Sequence, residues 1–316
     1  MPKAKETEWK PDEYCISKVT TMGHITEVCT FQRKSNGSPC IKIDKDHYCD
    51  TRTGEVLEYK HIENRAESTR GIRNTLAHIR AMINTNVTEP DNVRWVTLTY
   101  AENMTDPARL YEDYHAFWKR FCYWCKKNGH AKPEYITVQE PQGRGAWHIH
   151  AFFIWPTKAP FISNNEVMAP MWGHGFTKTK AMQNCDNVGA YFSAYLGDMP
   201  LDEIMELPQE ERAKALAGNE VLEKDFTDDQ DRTKTKKFVK GGRLYLYPPG
   251  MNIVRSTKGI KKPQVEYMTQ GEAKEKVRSA KQTFSRAYEV VDDDGNVVNR
   301  ICKTYYNSRR AEKQAK

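Results

Sequence analysis

Three side chains able to ligate a metal ion lie between positions 140 and 150: Glu140, His148 and His150. The two histidines are at i and i+2. Alternate residues of a strand share a face. His148, His150 and Phe152 therefore fall on one side, and Trp147, Ile149, Ala151 and Phe153 on the other. An apolar side packed into a core leaves the imidazoles together on the opposite side, where they can share one cation. Tyr135-Ile-Thr-Val-Gln139 reads as a preceding strand, rich in β-branched and aromatic residues. Pro141 to Gly145 supplies turn residues between the two strands. Such a hairpin brings Glu140 close to the histidines. One carboxylate and two imidazoles with open positions suit Mn²⁺ or Mg²⁺ better than a closed structural zinc. The plainer alternative is a histidine pair in a protein that binds no metal.

A second group with chemistry follows. Asp186 to Gly197 reads as a helix with Asp186 as its cap, and Tyr191 and Tyr195 share one of its faces, one turn apart. A divalent ion beside a phenol suits attack of the phenolic oxygen on a phosphodiester. The cation polarises a non-bridging oxygen and helps neutralise charge in the transition state. It also favours the phenolate of a group whose ordinary pKa is about 10. The product is a phosphotyrosine ester with a free 3′-hydroxyl. That ester conserves the bond energy, so the cut strand can be resealed.

These groups need elements to hold them. Arg94 to Tyr100 alternates as a strand, and Thr105-Asp-Pro opens a helix with apolar residues at Leu110, Tyr114, Phe117, Phe121 and Trp124 and a stop at Gly129. Residues 66–84 have helical spacing through Ile72, Leu76, Ile79 and Ile83. Arg73 belongs to a basic set there that could lie along a phosphate backbone. Pro156 to Pro170 reads as a loop-rich stretch, and Met171 to Lys180 as a turn feeding a short strand, with His174 a weaker ligand candidate. Residues 225–240 read as a charged, mobile insertion, and Gly242 to Pro248 as a strand. Gln270 to Ser279 reads as helix, and Ser285–Val291 with Val297–Tyr306 as a hairpin.

The 316 residues are 38% hydrophobic with a net charge of +7, which fits a substantial core and a polyanionic partner. No apolar run reaches membrane-spanning length, and the N-terminus carries no apolar signal core, so a cytoplasmic protein is expected, with no membrane partner. The eight cysteines are scattered and are expected to be reduced. Cys15, Cys29, Cys40 and Cys49 lack the tight pair typical of a zinc site, so a small β-rich extension is the simpler reading. The organisation read from the sequence is an N-terminal extension over 1–60, a catalytic core over 61–205 and a C-terminal accessory region over 206–316 whose strands complete or pack on the core.

Taken in order, Trp95-Val-Thr-Leu-Thr-Tyr100, Arg144-Gly-Ala-Trp-His148-Ile-His150 and Tyr191-Phe-Ser-Ala-Tyr195 resemble the three motifs of the HUH endonuclease superfamily. Within it they are similar to rolling-circle replication initiators of the filamentous-phage gene II type and their plasmid relatives. The resemblance covers roughly residues 90–200. It implies an α+β fold with a central antiparallel sheet of about five strands, the histidine strand in the middle, and flanking helices, with less regular N- and C-terminal extensions. It implies Glu140, His148 and His150 as ligands of Mg²⁺ or Mn²⁺, and Tyr191 and Tyr195 as nucleophiles. The implied partners are single-stranded or hairpin origin DNA and the helicase and polymerase machinery of a bacterial host cell. Many relatives carry a lysine just before the second tyrosine, where this chain has Ala194, with Asp198 three residues after Tyr195. Lys178 or Lys180 would then supply the phosphate contact, beside Arg144 and Arg73. The competing readings are a relaxase or transposase of the same superfamily, a non-catalytic basic DNA-binding module, and a metal-dependent hydrolase that uses water.

Overall fold

The computed structural model describes residues 3–34, 40–59, 69–182, 186–193, 196–217, 220–227, 233–248, 250–292 and 294–311. The chain opens with six short strands: β1 (Lys3–Thr7), β2 (Ile16–Met22), β3 (Ile25–Phe31), β4 (Cys40–Lys42), β5 (His47–Asp50) and β6 (Val56–Glu58). Next come α1 (Thr69–Asn86), β7 (Val93–Thr99), α2 (Pro107–Lys127), β8 (Glu134–Pro141) and β9 (Trp147–Ile154). A π-helical turn at Asn164–Met168 leads into α3 (Ala169–Trp172), β10 (Thr177–Ala181) and α4 (Val188–Ser193). They are followed by β11 (Met199–Pro200), α5 (Leu201–Met205), α6 (Gln209–Leu216), β12 (Val221–Thr227), β13 (Thr233–Val239) and β14 (Val254–Ser256). The last elements are β15 (Gln264–Thr269), α7 (Gln270–Lys276), β16 (Lys281–Val291), β17 (Val297–Asn307) and α8 (Ser308–Ala311).

The chain divides into two compact units, Met1–Ile62 with Pro263–Lys316, and Glu63–Lys262. In the first, the two ends of the chain interleave in a six-stranded sheet of order β1-β16-β17-β3-β2-β15, and β4, β5 and β6 form a small antiparallel sheet. Val19, Val28, Ala273 and Val277 pack where α7 lies on the larger sheet. The stretch 206–316, read as one region in the sequence, is distributed over both units. β15 to β17 find their strand partners in β1 to β3, while β14 pairs with β8.

The second unit is built on a five-stranded antiparallel sheet of order β10-β7-β9-β8-β14, with β9 third. The protein is thus α+β with several antiparallel sheets. Asp106 caps α2 by accepting from the Ala108 amide, and Pro107 follows it. α2 buries Leu110, Tyr114, Phe117, Phe121 and Cys125. Its rings meet Phe153 of β9, with centroids 4.7 Å apart for Phe121 and 5.7 Å for Trp118. That contact fixes the apolar side of the histidine strand, as the alternation predicts. A smaller cluster of Met199, Ile204, Leu207, Ala215 and Val239 joins α5 and α6 to the β11-β13-β12 sheet.

Two segments differ from their sequence reading, and a third adds detail to it. Residues 225–227 and 233–239 of the stretch read as an insertion are strand: β12 and β13 pair over seven registered positions from Val221↔Val239 to Thr227↔Thr233, and residues 228–232 lie outside the described residues. Gly242 to Pro248 is not a strand. Its apolar residues instead form a tight 3₁₀ turn at Leu244–Leu246, and Tyr247 is buried beneath Trp147, ring centroids 5.9 Å apart. The loop-rich stretch Pro156 to Pro170 also holds the π-helical turn at Asn164–Met168, which Ser163 caps by accepting from the Glu166 amide. Among the described residues, no helix is long and apolar enough to cross a membrane. Cys15, Cys29, Cys40, Cys49, Cys122, Cys125 and Cys302 are free thiols, and Cys185 lies outside the described residues.

Candidate functional site

The register of the five-stranded sheet brings the candidate ligands together. Glu140 of β8 and Thr99 of β7 both stand opposite His148, and Val138 and Thr97 stand opposite His150. Cross-strand partners share a face. Glu140, His148, His150, Thr97 and Thr99 therefore lie on the side away from α2. Lys178 pairs with Thr97 and Lys180 with Trp95, which puts both lysines on this side too.

Glu140 and His150 are in direct contact, Oε2 to Nε2 at 2.7 Å, with side chains only 10% and 15% exposed. Thr97 Oγ1 lies 3.3 Å from His150 Nδ1, so both ring nitrogens have partners. The His148 ring is set with its centroid 6.4 Å from that of His150. Burial pushes the His148 imidazole down to about 4, and the neighbouring His150 adds to this, so His148 is neutral at physiological pH. Burial alone would raise the Glu140 carboxyl, but Arg243, His150 and His148 outweigh it and hold Glu140 below the usual carboxylate range.

Arg243 has no counterpart in the sequence reading. Its Nη1 donates to Glu140 Oε1 in a short contact, and its Nη2 donates to Glu203 Oε2 at 3.4 Å. The residues around it are held by backbone bonds. The Arg243 amide donates to the Gly197 carbonyl at 3.0 Å, and the Gly241 amide donates to Asp198 Oδ1 at 2.9 Å. Asp198 thus serves to pin the arginine turn. Glu203 approaches from α5 because the hairpin turn carries glycine at 143: a Cβ there would lie 2.6 Å from Met199 Cε and 3.1 Å from Glu203 Oε2. The available signal in the sequence was a lone arginine after a glycine pair in an otherwise apolar run.

The helix α4, whose backbone includes Tyr191, is seated on the same side. Phe192 of α4 packs edge-on against His150, Phe152 and Trp95, with ring centroids 5.3, 5.2 and 5.7 Å away. α1 backs this helix. Asn84 Oδ1 accepts from the Gly189 amide at 2.8 Å, and its Nδ2 donates to Asn187 Oδ1 at 2.8 Å. A Cβ at Gly189 would run into the Arg80 carbonyl, so only glycine allows the two helices this close. Tyr191 belongs to the α4 backbone, and Tyr195 lies outside the described residues. Phe192 and Gly189 were legible in principle, as the apolar and small positions of the tyrosine helix.

The remaining candidates are placed as follows. Arg144 sits in the hairpin turn and its Nε donates to Gln142 Oε1 at 3.2 Å. Lys180 is exposed and Lys178 half-buried. Arg73 belongs to the α1 backbone. His174 is apart from the pair: its Nε2 lies 3.5 Å from Asp113 Oδ1, and its ring packs on Tyr100 and Trp172.

The donor chemistry of Glu140, His148 and His150, one buried carboxylate and two imidazoles of which His148 is neutral, fits a divalent cation. The placement is partial. Glu140 and His150 converge, yet Arg243 holds the second carboxylate oxygen, and among the described residues no three His, Cys, Asp or Glu side chains stand in a completed ion-binding arrangement.

Residues 93–199 match the family model of replication-associated protein ORF2/G2P. The matched segment begins with β7, ends at β11 and includes Glu140, both histidines and both tyrosines. No curated protein and no solved structure matches the chain. The family match supports a role in replication.

Proposed function

We propose that this protein initiates DNA replication by nicking and rejoining single-stranded or hairpin origin DNA through a covalent 5′-phosphotyrosine, in the manner of HUH endonucleases. The observation that carries the reading is the seating of Phe192 against His150. It sets the tyrosine helix on the polar side of the sheet, against the imidazole that already meets Glu140. The ordered match of residues 93–199 to a replication-associated family supports the same reading.

In this reading Glu140, His148 and His150 would hold Mg²⁺ or Mn²⁺. When bound, such an ion polarises the scissile phosphate and offsets charge in the transition state. The chain's own residues do the rest. Tyr191 or Tyr195 attacks the phosphorus, its oxygen forms the ester to the 5′ side, and the 3′-oxygen leaves with a proton as a free hydroxyl. Reversal by that hydroxyl, or by the 3′ end of another strand, restores the phosphodiester and frees the phenol. Two tyrosines allow one to hold the first end while the other cuts the regenerated origin. Thr97 and Glu140 fix the His150 ring between them. Lys178 and Lys180, on the same face, and Arg144 and Arg73 bind the phosphate backbone, with salt-dependent affinity. No nucleotide-binding G-x-x-x-x-G-K-[ST] run occurs in the sequence, so unwinding falls to a host helicase, and the host polymerase machinery copies the opened strand.

The test is a labelled single-stranded origin oligonucleotide incubated with Mn²⁺. A covalent protein–DNA adduct that disappears in the Tyr191→Phe/Tyr195→Phe double variant is expected. Cleavage to a free 5′-phosphate without adduct would replace the proposal with hydrolysis by water, and binding without cleavage would replace it with a DNA-binding module.

A further inference from the structure

Arg243 is arranged differently from an arginine in a closed structural ion pair. A paired arginine usually sets both arms of its fork on one carboxylate. Here the fork is split: Nη1 goes to Glu140 and Nη2 to Glu203. Nε is buried and, among the described residues, has no hydrogen-bond partner. The two carboxylates differ. The Glu140 side chain is 10% exposed and its other oxygen is taken by His150, whereas the Glu203 side chain is 41% exposed and meets Arg243 at the looser distance of 3.4 Å. Glu140 is held in the registered pairing of β8 with β9, opposite His148, and Glu203 sits on the five-residue helix α5. One partner is therefore fixed and the other can adjust.

Two cations cannot both take the Glu140 carboxylate closely, because a guanidinium a few ångströms from a divalent ion is repelled by it. The local charge is −1 with Glu140, Glu203 and Arg243 together. It becomes +1 when a divalent ion joins them, and a guanidinium that turns wholly onto Glu203 keeps its distance from the ion without leaving a carboxylate unpaired.

We propose that Arg243 and Glu203 form a cation-exchange latch on Glu140: Arg243 neutralises the carboxylate until a divalent ion takes that oxygen, and Glu203 then holds the released guanidinium. The latch rests on the reading of Glu140, His148 and His150 as ion ligands. It makes Arg243 a positioning residue and Glu203 its second berth. It also gives the buried carboxylate a partner at every stage, so the hairpin face stays folded whether or not the ion is bound.

The test is Mn²⁺ binding to the full chain, read by the electron-spin-resonance signal of free Mn²⁺, without DNA and without any assay of cleavage. Arg243→Gln is expected to tighten binding about tenfold, the scale of one unit charge near a divalent ion in a partly wet site. Glu203→Gln alone is expected to weaken it several-fold, because the displaced guanidinium loses its berth. In the Arg243→Gln background, Glu203→Gln should change binding less than twofold. Arg243→Lys, which keeps the charge, should stay close to the parent. Should Arg243→Gln fold poorly, the weakening by Glu203→Gln and its absence in Arg243→Lys/Glu203→Gln, whose flexible ammonium needs no fixed berth, decide the question. Weaker binding in folded Arg243→Gln, or an equal effect of Glu203→Gln in both backgrounds, overturns the latch and leaves the ligand set standing. No Mn²⁺ binding by any variant overturns both the latch and the ion reading beneath it.

Discussion

Two polar clusters, one inside each unit, are both largely shielded from solvent and differ in chemistry. In the first unit, Ser17 Oγ and Thr30 Oγ1 lie 2.7 Å apart, and both reach Gln270 Oε1, at 2.7 and 2.6 Å. All three residues are under 7% exposed, and all are neutral. Such a network gains little beyond satisfying itself, but it is costly to break. It fixes where α7 begins on the sheet, next to the Thr269–Glu272 capping box. In the second unit, Glu140, His150 and Arg243 are largely buried, with side chains 10–15% exposed, but Glu140 and Arg243 pair as opposite charges, and among the described residues one arginine nitrogen has no partner. A cluster of this kind is a poor way to hold a fold together, since well-packed apolar residues do so as well or better. The neutral cluster reads as architecture, and the charged one as chemistry.

That contrast can be broken by experiment. The largest effect is expected from Glu140→Ala. DNA cleavage should fall by about a thousandfold, near 4 kcal/mol of barrier, while binding of single-stranded DNA changes little. Cleavage at parental rates would place Glu140 with the architecture.

The next effect is a pH dependence. The folded pKa of His148, about 4, lies below its ordinary 6.5. The folded state therefore binds fewer protons than the unfolded one between these values, and stability falls as pH drops through that window. The loss is on the order of 2–3 kcal/mol by pH 4. Urea midpoints at pH 7, 5 and 4 should show it in the parent and much less of it in His148→Asn. Glu140, also held low, adds its own loss at the acid end. Equal slopes in parent and variant would remove His148 from the account.

Gln270→Ala should cost about 1–3 kcal/mol of unfolding free energy, because two buried hydroxyls lose their shared acceptor. Cleavage and ion binding by the folded variant should be unchanged. A fall in either would mean the neutral cluster is more than architecture. The smallest effect, about 1–2 kcal/mol by overpacking, is expected from Gly189→Ala, which pushes α4 away from the Arg80 carbonyl. Here the comparison sharpens: the lost stability should come with slower adduct formation, since the same helix carries Tyr191.

Much of the second unit's sheet was legible because its signals are local. Alternation in Trp147 to Phe153 reports which side faces a core, and that side does pack on α2. The helix over Pro107–Lys127 announces itself with Asp106 and Pro107. The segments that misled were those with ambiguous local signals. The run Leu244 to Tyr247 is apolar enough for a strand, but glycines before it and a buried berth under Trp147 turn it into a 3₁₀ turn. The charged residues of 225–227 and 233–239 suggest an insertion, yet a strand with one exposed face needs only half its residues to be apolar.

The sequence by itself determined the residue types and their spacing: two imidazoles on one face of a strand, a carboxylate at the end of the strand before it, and a tyrosine pair at helical spacing. Those follow from periods of 2 and 3.6 residues, which any short window contains. Only the tertiary structure decided that Arg243 and Glu203, 103 and 63 residues beyond Glu140, would share its carboxylate. It alone decided that a glycine would let α4 rest on α1 with Phe192 against His150. Partners so far apart in the chain leave no periodic trace, because what joins them is the packing of whole elements and the need of each buried charge for an opposite one.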